Sequence, residues 1–213
     1  MAIELKEHAL VQHYITILRN KETKAELFRK ASVAVTRILM VEAARSLSLE
    51  TVSVSTPLEE TQGAKLSGGL VVVPILRAGL GMLETALKIL PNAAVGFVGL
   101  ERDEATAIAS CYYAKLPPLN TASHVFVIDP MLATGGSAVQ TITSLKAKGV
   151  QRLTMVSIIS APEGVAALEA AHPDVEIVTG IVDRELNESK YICPGLGDFG
   201  DRLFRTSAAS SDQ

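Results

Sequence analysis

The stretch Val127-Ile-Asp-Pro-Met-Leu-Ala-Thr-Gly-Gly-Ser137 gathers the residue types that hold a phosphate without a lysine. Gly135 and Gly136 let the backbone approach an anion closely, and Thr134 and Ser137 add hydroxyl donors. A helix beginning there offers unpaired N–H groups and the positive end of its dipole. Glycines of this kind often only tighten a strand-to-helix connection, with the Asp as a turn residue. The order of residues favours chemistry. Asp129 at the carboxyl end of a buried strand, followed by an anion-binding helix start, occupies the crevice where open α/β sheets take ligands.

A second strand end carries Pro74-Ile-Leu-Arg-Ala-Gly-Leu-Gly81, in which Arg77 leaves an apolar run just before two glycines. Its fork of donors suits phosphate oxygens, and a neighbouring cradle gives it a reason to be there. Late in the chain Asp198 and Asp201 flank Phe199-Gly200. They are turn carboxylates, or a pair that could approach a hydrated Mg²⁺ held mainly by substrate phosphates. Other chemistries are disfavoured. Gly195-Leu-Gly-Asp-Phe-Gly200 completes GxGxxG, but no clear strand precedes it and too little chain follows for a dinucleotide-binding unit, and no GxxxxGK[ST] occurs. His8, His13, His124 and His172 are scattered without ligand spacing, and no GxSxG elbow supports a covalent intermediate.

The elements that must position these residues alternate. Leu70-Val-Val-Val73 reads as a buried strand, followed by helical spacing from Leu80 to Leu90 that Pro91 stops. Strands follow near 94–100 and 124–128, a helix over 136–148, a strand over 153–159, a helix through Ala171 and a strand over 175–182. This predicts an α/β fold, a parallel sheet flanked by helices. Ahead of it, Thr23-x-x-Glu26 reads as a capping box opening a helix over 23–46, and Ser160-x-x-Glu163 as another opening the helix that ends at Ala171. The spacing of Leu10, Tyr14, Ile17 and Leu18 predicts a shorter helix whose apolar side needs another surface or subunit to cover it. The interval 101–123, with Tyr112, Tyr113 and Pro117-Pro118, reads as a protruding hairpin and loop that could serve as a lid.

The 213 residues predict one domain, at roughly 100–200 residues each. With 48% hydrophobic and 20% charged residues the chain has ample core and too little charge for disorder. A formal net charge of −3 and no Lys/Arg cluster give no general field for nucleic acid or anionic lipid. No apolar stretch reaches the length of a membrane span, and the first residues lack the order of a secretory signal, so the expectation is a cytoplasmic protein. Cys111 and Cys193 form no CxxC and read as reduced thiols.

Asp129-Pro-Met-Leu-Ala-Thr-Gly-Gly-Ser137, Pro74-Ile-Leu-Arg-Ala-Gly79 and Tyr191-Ile-Cys-Pro-Gly-Leu-Gly-Asp-Phe-Gly-Asp-Arg202 together resemble the uracil phosphoribosyltransferases, and the likeness runs from Leu18-Arg19 and Phe28-Arg29 to Leu203-Phe204. The resemblance implies a type I phosphoribosyltransferase-like sheet, with an N-terminal helical arm over 1–50, a hairpin lid over 101–123 and a base-binding hood over 184–206. It implies transfer of the 5-phosphoribosyl group of 5-phosphoribosyl 1-diphosphate (PRPP) to uracil, giving UMP and diphosphate in pyrimidine salvage with Mg²⁺. By the same resemblance Arg77, Arg102, Asp129 and Asp198 are the catalytic set. PRPP would be bound by these four together with Pro130, Met131, Leu132, Ala133, Thr134, Gly135, Gly136 and Ser137. Uracil would be read, largely by backbone, at Ile192, Gly197, Asp198 and Phe199. Mg²⁺ would be held mainly by PRPP and water, with Asp198 the one protein candidate. GTP, an allosteric effector of some relatives, and a homodimer or homotetramer are further expectations of the family. The chain has a single acid at Asp129-Pro130 where many phosphoribosyltransferases have two, and Phe199 where many relatives have Ala. Two alternatives stay open: a regulator that keeps the PRPP pocket and binds RNA, which the acidic balance disfavours, and a transferase for another base.

Overall fold

A computed structural model describes residues 2–102 and 109–206; the side chains of Glu101, Arg102 and residues 109–111 lie outside that description. In chain order the elements are β1 (Ile3–Glu4), α1 (Ala9–Arg19), α2 (Ala25–Ala43), β2 (Leu49–Ser55), β3 (Glu60–Leu66), β4 (Leu70–Leu76), α3 (Leu80–Ile89), β5 (Ala94–Val95), β6 (Phe97–Arg102), β7 (Ala109–Lys115), β8 (His124–Ile128), β9 (Met131–Leu132), α4 (Gly136–Lys146), β10 (Arg152–Ser160), α5 (Pro162–Ala171), β11 (Glu176–Val182), β12 (Glu185–Leu186), β13 (Ile192–Cys193) and α6 (Phe199–Phe204).

Among the described residues the main sheet runs β1-β11-β10-β8-β4-β6-β7, with β5 also on β4 and β9 on β10. Its pairings are parallel except for the antiparallel β6–β7 hairpin at one edge. The strand period of two divides the core. Val71, Val73, Val125, Val127 and Met155 bury their side chains with Ile142 and Leu145 of α4 and Leu168 of α5. Val72, Phe126, Ile128, Val156 and Val178 point the other way, against Val11, Ile15 and Leu18 of α1, Phe28, Val35 and Leu39 of α2, and Met82 of α3. Near-continuous β-branched runs are what a strand covered on both faces requires.

Several expectations about the helices change. The buried stripe of α1 is Val11, Ile15 and Leu18, with Leu10 exposed, and its cover is this chain's own α2 and β11. Neither capping box forms. Thr23 donates its hydroxyl to the Ile17 carbonyl at 2.7 Å, so α2 starts after Lys24 with no side-chain cap, and Glu26 pairs with Lys30 instead. Ser160 turns into the sheet, its hydroxyl 2.8 Å from that of Thr179, and α5 opens on Pro162. Glu163 accepts the Leu186 N–H at 2.9 Å, tying α5 to a later strand. Sequence patterning showed no sign of β1, which adds to the sheet edge beside β11, of the antiparallel β2–β3 hairpin, whose alternating residues are almost all exposed, or, past Asp183, of the β12–β13 pair and the short helix α6. No helix among the described residues is long and apolar enough to cross a membrane.

Candidate active site

Pro74 pairs with Ile128, so β4 and β8 end side by side and deliver Arg77 and Asp129 to the same edge of the sheet. β6 runs parallel to β4, which brings the backbone of Arg102 to that edge as well, its side chain lying outside the described residues. The Leu76–Arg77 peptide is cis, and the Arg77 side chain is exposed, with Nη2 3.5 Å from Asp201 Oδ1.

Beyond β8 the chain is stitched to β10 before it reaches the cradle. Asp129 N–H donates to the Val156 carbonyl at 3.1 Å, and the Pro130 carbonyl accepts from Ile158 and Ile159 at 3.0 and 3.1 Å. Met131 and Leu132 then pair with Ile159 and Ser160 as β9. Gly135 follows with φ +81°, a left-handed conformation that favours glycine, and immediately precedes α4. Asp129 and residues 131–138 line a small concavity of about 40 Å³ around the first turn of α4. An eleven-residue helix whose N-terminal amides open into a concavity is suited to a phosphate.

Burial at the strand ends pushes the Asp129 carboxyl up to about 7, helped by the Asp198 charge and opposed by the Met131 N–H. The influence of Asp198 brings it into the same electrostatic neighbourhood, although it lies 69 positions later in sequence. Asp198 is exposed and caps α6, accepting the Asp201 N–H at 2.8 Å. Asp201 also accepts the Thr206 hydroxyl at 2.7 Å. No group of three or more His, Cys, Asp or Glu side chains able to hold a metal is gathered among the described residues. Asp129 and Asp198, two carboxylates in one electrostatic neighbourhood, are hard oxygen donors of the kind a hydrated Mg²⁺ takes.

The residues expected to read a base sit on the segment from β13 to α6. The side chains of Ile192 and Phe199 are buried, Phe199 completely, with its ring 5.2 Å from that of Phe28. They leave the backbone, with Gly197 and Asp198 exposed between them. Sequence reasoning missed what holds this segment. Arg202 donates to the carbonyls of Leu18, Leu196 and Asn20, the last two at 2.7 Å, and its guanidinium lies 4.4 Å from the Phe28 ring centre. Arg29 donates to the Leu203 carbonyl at 2.9 Å. Arg19 and Asp183 add an ion pair beside Gly195. The available signals were an acid directly after a buried strand, at Asp183, and the place of Arg19, Arg29 and Arg202 in the family resemblance, which gave them no role.

The family model described as uracil phosphoribosyltransferase matches residues 5–206. The uracil phosphoribosyltransferase of Fervidobacterium nodosum is 50% identical over 201 residues, covering 94% of this chain and 97% of that one. That of Streptococcus pneumoniae is 47% identical over 205 residues, covering 96% and 98%. The solved AQ2163 protein of Aquifex aeolicus superposes with a TM-score of 0.91 at 40% identity, over 98% of this chain and all of that one. The adenine phosphoribosyl transferase of Trypanosoma brucei, at 13% identity and a TM-score of 0.57 over 91% of this chain and 86% of that one, shares the fold.

Proposed function

The chain belongs to the uracil phosphoribosyltransferase family, and from that premise we propose that it transfers the 5-phosphoribosyl group of PRPP to N1 of uracil, forming UMP and releasing diphosphate. The observation that carries the reading is the joining of Asp129, the 134–137 turn at the start of α4, and Arg77 at adjacent ends of β8 and β4.

Breaking the bond from C1 of the ribose to diphosphate leaves positive charge at the anomeric carbon and negative charge on the departing group. The turn at Thr134 to Ser137, with Pro130 to Ala133 leading into it, holds the 5-phosphate and so fixes the ribose. Arg77 and Arg102 meet the diphosphate oxygens, and the ionised Asp129 faces the ribose where positive charge grows. Asp198 would reach an Mg²⁺ brought in with PRPP, which when bound would supply further charge neutralisation on the leaving group. Uracil offers alternating donors and acceptors that peptide groups at Ile192, Gly197 and Phe199 can match, and a close backbone fit rejects bases with different edges. With the Phe199 ring buried against Phe28, that residue offers the cleft its backbone alone.

The same reading includes the 101–123 interval as a lid, of which residues 103–108 lie outside the described residues, a homodimer or homotetramer, GTP as an effector and a cytoplasmic place of work. The decisive experiment is diphosphate release from PRPP and Mg²⁺ with and without uracil, with the nucleotide identified by mass. Uracil-dependent release with UMP formed supports the proposal; release with hypoxanthine or orotate but not uracil overturns the base. Adding GTP and measuring mass by light scattering in the same buffers tests effector and assembly.

A further inference from the structure

Both polar backbone groups of Gly195 are held by one ion pair. Arg19, the last residue of α1, donates from both terminal nitrogens to the Asp183 carboxylate, Nη1 at 2.9 Å, and Nη1 also donates to the Gly195 carbonyl at 2.8 Å. Asp183 in turn accepts the Gly195 N–H at 2.9 Å. Only 7% of Asp183 is exposed, so this is a pair placed largely out of water.

Stability alone is a poor explanation for such a pair, because desolvation offsets much of the attraction and apolar replacements often do as well. A bidentate fork does supply direction, fixing angle as well as distance. What it fixes here is a peptide three positions after Ile192 and two before Gly197, with Arg202 gripping the next carbonyl, that of Leu196, at 2.7 Å. The phosphate cradle hangs from β8, β9 and α4; among the described residues the Arg19 and Asp183 side chains make no hydrogen bond to it, and only the Asp183 N–H, donating to the Ser160 carbonyl at 2.8 Å, touches the strand that pairs with β9. The pair therefore acts on one substrate's side of the cleft.

We propose that Arg19 and Asp183 are positioning residues for the base: their ion pair sets the backbone of the 194–197 loop so that its peptide groups match uracil, without touching substrate themselves. The inference rests on the proposed function.

Two variants test it. Arg19→Lys keeps the charge and loses the fork. The double variant Arg19→Gln/Asp183→Asn removes both charges, leaving none buried and unpaired. KM for uracil should rise about tenfold or more in both, while the affinity for PRPP with Mg²⁺, measured by calorimetry without uracil, stays within about twofold. Amide exchange should quicken at Gly195 to Gly197 and stay unchanged at Gly135 and Gly136. An unchanged KM for uracil, or an equal loss of PRPP affinity, overturns the proposal, as does loss of fold in both variants. A wild-type protein that makes no UMP overturns the proposed function itself, and is recognised before any variant is made.

Discussion

Arg77 and Asp201 form an ion pair, Nη2 to Oδ1 at 3.5 Å, that joins the turn after β4 to helix α6. The arginine side chain is 62% exposed, so the pair contributes at most about 1 kcal/mol, and Arg77 can exchange a carboxylate for phosphate oxygens at little cost. Arg77→Ala should lower kcat/KM for PRPP by about 100-fold or more. Asp201→Asn should change it by less than about fivefold. Titrating PRPP at saturating uracil separates the two; equal losses would mean that the link to α6, not the phosphate contact, is what matters at Arg77.

His124 opens β8 at the opposite end of the strand from Asp129, stacked on Phe126 with 4.7 Å between ring centres and its Nε2 2.9 Å from the Thr154 hydroxyl. Its Nδ1 has no partner among the described residues. Burial holds its pKa below the ordinary value of 6.5, with Arg152 acting in the same direction and Glu176 against it. A depressed histidine favours the neutral ring in the folded state, so its contribution is present above about pH 6.5 and lost as pH falls. His124→Phe removes that proton uptake. The melting temperature of the variant relative to wild type should rise between about pH 7.5 and about pH 5.5. A pH-independent difference would show that His124 is not what titrates.

The parts of the site carried by one continuous segment were legible in the sequence. Val125 and Val127 against Phe126 and Ile128 spell a strand covered on both faces, and Asp129 and Thr134 to Ser137 follow it without interruption. What needed two distant segments was not. Thr23 and Ser160 have the right spacing for helix caps, but the Ile17 carbonyl and the Thr179 hydroxyl are better placed to engage them. Arg19, Asp183 and Arg202 meet only after α1, β11 and α6 have folded together, and single surface-type residues give no period to read. Phe199 stood out as a departure at the base pocket; packing turned its ring to Phe28 and made it core. The β2–β3 hairpin hid because its alternation of Val52 and Val54 with polar residues buries little in this chain.

Gly164 lies in α5, outside the cradle motif, yet a Cβ there would sit 2.4 Å from the Ala133 carbonyl oxygen and 2.7 Å from that of Leu132. The close approach lets α5 support the loop that leads into Thr134. Gly164→Ala must push that backbone, costing about 1–3 kcal/mol of stability and moving the amides proposed to hold the 5-phosphate. KM for PRPP should rise and KM for uracil stay near wild type, the reverse of the Arg19 variants. Thermal melts and two-substrate kinetics check both; an unchanged melting temperature would mean that the cradle yields without cost.

Asp129 ties stability and activity together with opposite signs. Its folded pKa of about 7 lies above the ordinary 3.8, so between these values the folded state keeps a proton that the unfolded chain releases. Stability from this group is therefore full below about pH 3.8 and declines as pH rises through about 7. Asp129→Asn should gain melting temperature over wild type as pH rises from about 5 to about 8. Activity should run the other way. In the proposed role the working form is the carboxylate, so kcat/KM for PRPP should climb with pH and level off above about 7. Asp129→Asn should lose that climb and about 100-fold or more of the plateau. A variant that gained stability at high pH yet kept the wild-type pH–rate profile would place the kinetic ionisation elsewhere and leave Asp129 with only a structural cost; opposite trends from the one substitution would assign to this carboxyl a stability penalty retained for function.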